Sequence, residues 1–505
     1  MKRSQLWELC FGLLVVGTAL PLWLTRYLPI EDLPQHLAAV RVLHSYHDPR
    51  FGFAQYFELG LSRTQYLAYY LAADWLSYLF DLELANRLLI TGCVVATAYA
   101  LRSLLRALGR DERYALFALP FTYNAHLILG FVNFLWAIPL SFWGLALCVR
   151  QRREYRSSRG LALAGVALLC FYSHVVPFAL LSLGALLIAL QRELRATVRM
   201  LVPLLPAGVA GVFWAVLSPA GQATVTAAHG STSGRVPSYQ PWRMSWNDLP
   251  GWLTEVLGDQ SDRYTLRALG ALLVLALVIG LFRKRGAAAN DALGRSLTLR
   301  LWALPLLAAL LYFVAPTSYD WIWPISQRFG LLAVLLLIPV LPRPPRHAGH
   351  MLIALLLGVT LLHTRAVAQA FRGFDHDEVG DFDQALEAIP PQQRVAGLIY
   401  LRSSRFVRFS PFIHYVAYYQ ARKGGAVMFT FADFPQSPFR FREDNRPPRV
   451  PPRWEWLPER VRPIPDLGWY DYVLARGGPG LVAQPSQGWS AVYRGPLWSV
   501  WKKVR

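Results

Sequence analysis

Long apolar runs alternate with short basic connections over the first 363 residues of the chain, and the alternation stops there. About 20 apolar residues in helical form match the hydrocarbon core of a bilayer, so repeated runs of this kind predict membrane crossings. The pattern predicts an α-helical polytopic membrane protein with about 11 transmembrane helices. Single crossings fall at 6–24, 84–105, 200–217, 266–282, 300–315, 329–341 and 349–363, and tight hairpins at 114–149 and 160–190. Each hairpin holds too few apolar residues for two full crossings. Its outer turn is therefore expected to sink into the membrane, shielded by protein or lining a watery cavity. Residues 65–80 ("QYLAYYLAADWLSYLF") are short, aromatic and carry Asp74, and read as a helix lying at the interface.

Beyond residue 363, Pro and charge become frequent and apolar runs shorten. This predicts a small α/β domain at 364–505, outside a transmembrane domain at 1–363 with outer loops 25–83 and 219–264. "DEVGDFDQALEAI" reads as helix, "RVAGLIYL" as strand and "PFIHYVAYYQARKGG" as an amphipathic helix closing on Gly. "YDYVLAR" reads as a strand and "SAVYRGPLWSVWKKV" as a hairpin.

Composition sharpens the topology. The 505 residues are 54% hydrophobic and 16% charged, with a formal charge of +20. Such a charge would suit a nucleic-acid binder if it formed a patch, but most of it sits in short connections between apolar runs. The inside connections carry 21 Lys and Arg, whereas the longer outside ones carry eight against nine acids. That asymmetry sets orientation under the positive-inside rule. It argues against a nucleic-acid partner and predicts an integral plasma (inner) membrane protein with a cytoplasmic N-terminus and an extracytoplasmic C-terminal domain. Lys2 and Arg3 followed by an apolar stretch longer than a signal-peptide core read as an uncleaved first span. The four cysteines lie inside apolar runs, with no zinc-type spacing and no loop disulfide.

Polar residues near the membrane boundary are costly and mark function by default. They gather on the predicted outer side: Glu31, Asp32 and His36 in the first loop, Asn124, His126 and Asn133 in the first sunken turn, and His174 in the second. Asp320 and Arg328 precede a later span. In "LPIEDLPQHLAAVRVLHSYH", Asp32 is placed to cap a helix that Pro34 helps to start, with His36 one turn on. His36 and His47 lie about 16 Å apart along that helix, too far to share a metal. Glu31 and Asp32 could instead hold a divalent cation (Mg or Mn) with water and phosphate. Blander roles exist for each residue: Asn124 and Asn133 can satisfy broken backbone, His126 and His174 can be buried core histidines, and Asp320 and Arg328 can form a local ion pair.

The acidic first loop "PIEDLPQH", its helical continuation, the many further spans and an outer C-terminal domain resemble the C-type glycosyltransferase (GT-C) superfamily. These are integral membrane enzymes that use polyprenyl-phosphate sugars. The resemblance implies that Glu31 or Asp32 serves as catalytic base or metal ligand, although the pair is adjacent rather than spaced as D-x-D. It implies a lipid-linked sugar donor, and a glycan, lipid or protein acceptor. His36, Asn124, His126, Asn133, His174, Asp320 and Arg328 are the substrate-binding candidates, with Arg328 suited to a lipid phosphate. A flippase or transporter for a lipid-linked glycan, or a non-enzymatic membrane assembly factor, is the alternative.

Overall fold

The computed structural model describes residues 3–222, 237–281, 291–319, 322–463, 465–477 and 488–504. Six helices are long and apolar enough to cross a membrane: Leu82–Ala107, Val132–Arg153, Leu194–Leu217, Asp262–Gly280, Ala292–Val314 and His347–Glu378. Four shorter apolar helical segments accompany them, Gln5–Thr18, Ser157–Ser173, Val175–Ala189 and Gln327–Val340. Their large apolar side chains point outward in number, among them Val212, Phe213, Leu217 and Val274, all more than half exposed. A face of that kind needs lipid, since water-soluble surfaces rarely expose so much contiguous apolar area. The chain is an integral membrane protein of mainly helical architecture, with a small mixed sheet near its C-terminus.

The first predicted hairpin differs from expectation. Residues 114–129 do not make a spanning helix; they run through 3-10 turns (Glu112–Ala118, Pro120–Thr122) and a short helix, Ala125–Leu129. Pro120 and the polar Asn124 interrupt the helical ladder there, so only Val132–Arg153 is a long helix. The last span also runs past its predicted end, continuing to Gly373.

Contacts divide the chain into two compact units. The first comprises residues 1–23, 90–127 and 131–368, and holds most of the apolar helices. Its basic connections are tied down: Arg102, buried, forks onto Glu8 at 2.6 Å and reaches Glu112 at 2.9 Å. A short antiparallel pair joins β2 (Pro237–Ser238) to β3 (Ser318–Tyr319).

The second unit comprises residues 24–89, 128–130 and 369–505. The first outer loop is thus part of the same unit as the C-terminal region, a grouping that a linear division at 363 does not contain. Its sheet has five strands in the order β5 (Ala426–Val427), β4 (Arg394–Ile399), β7 (Tyr472–Arg476), β9 (Trp498–Lys503) and β8 (Trp489–Arg494). The β5, β4 and β7 strands are parallel, and β9 and β8 form an antiparallel hairpin. Each is where the sequence pattern put a strand, except two-residue β5. All residues of β7 are buried, as expected of a central strand, whereas β8 alternates buried and open as an edge strand does. A separate pair joins β1 (Phe57–Leu59) to β6 (Phe439–Phe441). The Val416–Lys423 helix ends at Gly424, whose φ of +78° only glycine adopts without strain. It begins five residues after Pro411, later than its apolar pattern suggests.

Candidate functional site

The acidic pair is held by backbone on one side and a helix on the other. The N–H groups of Glu31 and Asp32 donate to the carbonyls of Ile128 and Leu129 at 2.7 and 3.1 Å. Gly130 follows at φ +91°, and a Cβ there would stand 2.7 Å from the Asp32 Cβ, so the close approach requires glycine. Asp32 then takes the N-cap position of the Leu33–His44 helix, with Pro34 in the first turn. Its side chain makes no capping bond. The carboxylate is used elsewhere.

It is used on His414. The imidazole Nδ1 lies 3.0 Å from Asp32 Oδ1, and its Nε2 lies 3.1 Å from Glu455 Oε1. A ring between two carboxylates has a donor site for each only when protonated. Burial works against that charge, but the charges of Glu455 and Asp32 in contact with the ring outweigh it and hold the His414 pKa well above its ordinary value. Burial raises the Glu455 carboxyl, partly offset by His414.

Glu31 differs from its neighbour. It is 6% exposed, and its Oε2 accepts the Ser410 N–H at 2.9 Å. Burial, against the pull of cationic His414, pushes its carboxyl up to about 8. Near neutrality Glu31 is mostly the uncharged acid. The strand and turns that supply these partners carry two bulky residues in the left-handed region, Phe409 at φ +70° and Phe429 at φ +55°. Such conformations cost energy and persist only where surrounding contacts impose them. Phe409 immediately precedes Ser410, and the Phe429 carbonyl accepts from Gln35 Nε2 at 2.5 Å.

His36 is buried with both ring nitrogens engaged, Nδ1 with the Tyr70 hydroxyl at 3.0 Å and Nε2 with the Gly130 carbonyl at 2.8 Å. Burial lowers its pKa. The pattern fits a neutral ring with Nε2–H donating to Gly130, a tie between helix and backbone rather than a group aimed at a ligand. The metal expectation also meets an obstacle. Among the described residues no group of three or more His, Cys, Asp or Glu could hold an ion. Moreover, Asp32 faces a cation and Glu31 is buried as the neutral acid, so the pair does not fit a divalent metal.

The remaining candidates belong to the membrane unit. Asn124 is saturated by its own turn: Nδ2 donates to the Phe121 and Thr122 carbonyls, and Oδ1 accepts from the His126 and Leu127 N–H groups. His174 caps the Val175–Ala189 helix by accepting the Val176 N–H at 3.1 Å. His126 is enclosed by aromatic rings, stacked on Trp252 at 5.5 Å with Phe134 at 5.0 Å, and faces the Gln327 backbone. Asn133 is buried, and its Oδ1 has no hydrogen-bond partner among the described residues. Arg328, 8% exposed, opens the Gln327–Leu337 helix with its guanidinium 5.5 Å from the Phe131 ring and 5.9 Å from that of Phe134. It is close enough to His126 and His174 to act on both electrostatically. Asp320 lies outside the described residues.

Sequence reasoning missed His414, Glu455 and Ser410. The only local signals are a histidine inside the aromatic run "PFIHYVAYY" and a glutamate between tryptophans in "PPRWEWLPER".

No protein-family model and no curated protein sequence matches the chain. Among solved structures, two of ArnT from Cupriavidus metallidurans are similar to it. One, bound to undecaprenyl phosphate, is 11% identical with a TM-score of 0.44, over 98% of this chain and 97% of that one. The other, in the apo state, is 13% identical with a TM-score of 0.45, over 99% of this chain and 98% of that one. A likeness at this identity and score says nothing of activity.

Proposed function

We propose that the chain is a membrane glycosyltransferase that moves a sugar from a polyprenyl-phosphate donor to an acceptor hydroxyl on the extracytoplasmic face, with Asp32 as the base. The observation that carries this reading is the run Asp32–His414–Glu455. It fixes the orientation of one carboxylate of the first loop and commits only one of its oxygens to the ring. The second oxygen takes the acceptor proton. The acceptor oxygen then bonds to the anomeric carbon, the bond from that carbon to the phosphate oxygen breaks, and the polyprenyl phosphate leaves with the electron pair. Glu455 beyond the ring offsets the imidazolium charge, and the ring orients Asp32. Glu31, buried and neutral near pH 7, positions its neighbour through Ser410 and is not the base. In the membrane unit, Arg328 is the permanently charged group suited to a lipid phosphate. His126, Asn133 and His174 are its polar company there.

The test uses the full chain in nanodiscs with synthetic polyprenyl-phosphate pentose and hexose donors and a membrane extract as acceptor. Released polyprenyl phosphate is followed by mass spectrometry. Asp32→Asn should lower release per folded molecule by about 10²- to 10⁴-fold, with a lower thermal midpoint because cationic His414 loses one of its carboxylates. Undiminished release by that variant would remove Asp32 from the chemistry. Donor crossing the bilayer with no release would instead favour a flippase.

A further inference from the structure

At its C-terminal end the Leu33–His44 helix borders a polar cavity of about 440 Å³, within the same unit as the acidic cluster. Arg41, His44, Asp48, Arg50, Arg422 and Lys423 line it, with the Phe51 ring as its apolar wall. Arg41 lies nine residues beyond Asp32 on the helix, about 13 Å at 1.5 Å per residue, so this is not the Asp32 site.

The cations differ in how they are compensated. Arg50 forks onto Asp48, Arg422 onto Glu83 and Asp383, and Lys423 reaches Glu387 as well as the Leu386 and Ile389 carbonyls. His44 pairs with Asp74 at 2.9 Å. Arg41 is half-buried, yet among the described residues no carboxylate lies within ion-pair range of it. Its Nε donates to the Ala421 carbonyl at 3.0 Å, its Nη1 reaches the Ser45 hydroxyl at 3.5 Å, and its guanidinium stacks 5.0 Å from the Phe51 ring. Those contacts fix the plane of the fork without neutralising it. A guanidinium held flat, partly desolvated and short of an anion is the arrangement that recognises phosphate bidentately. The cavity has the volume of an ordinary small-molecule site.

We propose that this cavity binds a phosphate-bearing ligand, with Arg41 as the anchor and Arg50 and Lys423 at its rim. The ligand can come from a lipid headgroup or from a soluble phosphorylated sugar, since both present the same phosphate monoester. The site does not depend on the glycosyltransferase reading, because it concerns binding alone.

Calorimetric titration of the full chain in a neutral detergent tests it with two probes, glucose 1-phosphate and short-chain phosphatidic acid, with acetate as control. Saturable binding of either phosphate probe, and not of acetate, is expected. Arg41→Gln should weaken it by about tenfold or more, and Arg50→Gln by less. Binding of the soluble probe identifies a free sugar phosphate as the source, and binding of phosphatidic acid alone identifies a headgroup. Because Arg41 also holds the Ala421 carbonyl, Arg41→Lys and a thermal midpoint accompany Arg41→Gln. If Arg41→Gln unfolds, Arg41→Lys and Arg50→Gln carry the test, each weakening phosphate binding with the fold intact. No saturable phosphate binding, equal binding of acetate, or full affinity in the folded variants overturns the proposal.

Discussion

The acidic cluster of the second unit and the polar set of the membrane unit solve the problem of buried polarity in different ways. In the cluster, Asp32, His414 and Glu455 compensate one another by charge, although Asp32 and His414 are far apart in sequence. In the membrane unit, Asn124 is satisfied by backbone within a few residues and His174 Nδ1 accepts a local N–H, while Arg328 and His126 are set among aromatic rings. A mutually compensated ion network is costly to break, because removing one member leaves another charged and buried. A guanidinium packed against rings is set in place by cation–π contact rather than by a facing carboxylate. The first arrangement is held by charge across a long sequence separation, the second by local backbone and by rings.

On the side of the membrane unit, that contrast can be broken most severely at Arg328. Arg328→Gln should reduce release of polyprenyl phosphate by about 10²- to 10³-fold, the scale of losing a group that stabilises developing negative charge. Arg328→Lys should recover only part of it, since a point charge lacks the planar fork. Equal activity in all three proteins would show that the guanidinium does not meet the phosphate. Next in size is Glu455→Gln. Its expected effect is a fall of about tenfold in turnover with an altered pH profile, because the cationic ring loses one of its two carboxylates. A turnover and pH profile matching wild type would mean that Glu455 has no part in orienting Asp32.

How much of this was legible in the sequence follows from the range of each interaction. Helices, their apolar faces and most strands of the C-terminal sheet are encoded by periodicity within windows of ten to twenty residues, and "RVAGLIYL", "YDYVLAR" and the final hairpin formed where that periodicity placed them. The 114–129 segment was misjudged because hydropathy alone does not register what Pro120 and Asn124 do to a helical ladder. Glu31 and Asp32 stood out as adjacent charges beside an apolar run. Their separation into a neutral acid and an ion-paired carboxylate did not, because it depends on Ser410, His414 and Glu455, which no local pattern connects to them. Asp32 stands at the N-cap as its local pattern placed it, but its carboxylate meets a distant imidazole and not the helix backbone.

Glu31 gives a sharper test, through stability. Its folded pKa of about 8 lies above the ordinary 4.5, so the unfolded chain releases this proton first as pH rises. Between about pH 4.5 and pH 8 the folded state therefore binds more protons, and the Glu31 contribution to stability falls with rising pH across that window. His414 also favours acid, but its contribution is complete below its unfolded value and is lost only as pH rises through a folded pKa held well above 6.5. Glu31→Gln replaces the neutral acid by a neutral amide. Its thermal midpoint should match wild type near pH 5 and exceed it near pH 8, with release of polyprenyl phosphate reduced only a few-fold. A variant that is less stable than wild type at pH 8, or inactive, would return Glu31 to the role of an ionised base.

The smallest effect on chemistry is expected at Asn124, where the membrane unit looks most polar in sequence and is least free in structure. Its amide donates to two carbonyls and its oxygen accepts two N–H groups, so both ends of the side chain are consumed by one turn. Asn124→Ala would leave those backbone groups buried without partners, at about 1–3 kcal/mol for each group left unsatisfied. The expected result is a lower thermal midpoint with turnover per folded molecule unchanged within about twofold. Asn124→Asp should be distinguishable from it, since a carboxylate keeps the two accepted bonds but cannot donate to Phe121 and Thr122. If Asn124→Ala instead kept full stability and lost turnover, the amide would have to be facing substrate, and the division between structural and chemical polarity in the membrane unit would have to be redrawn around it.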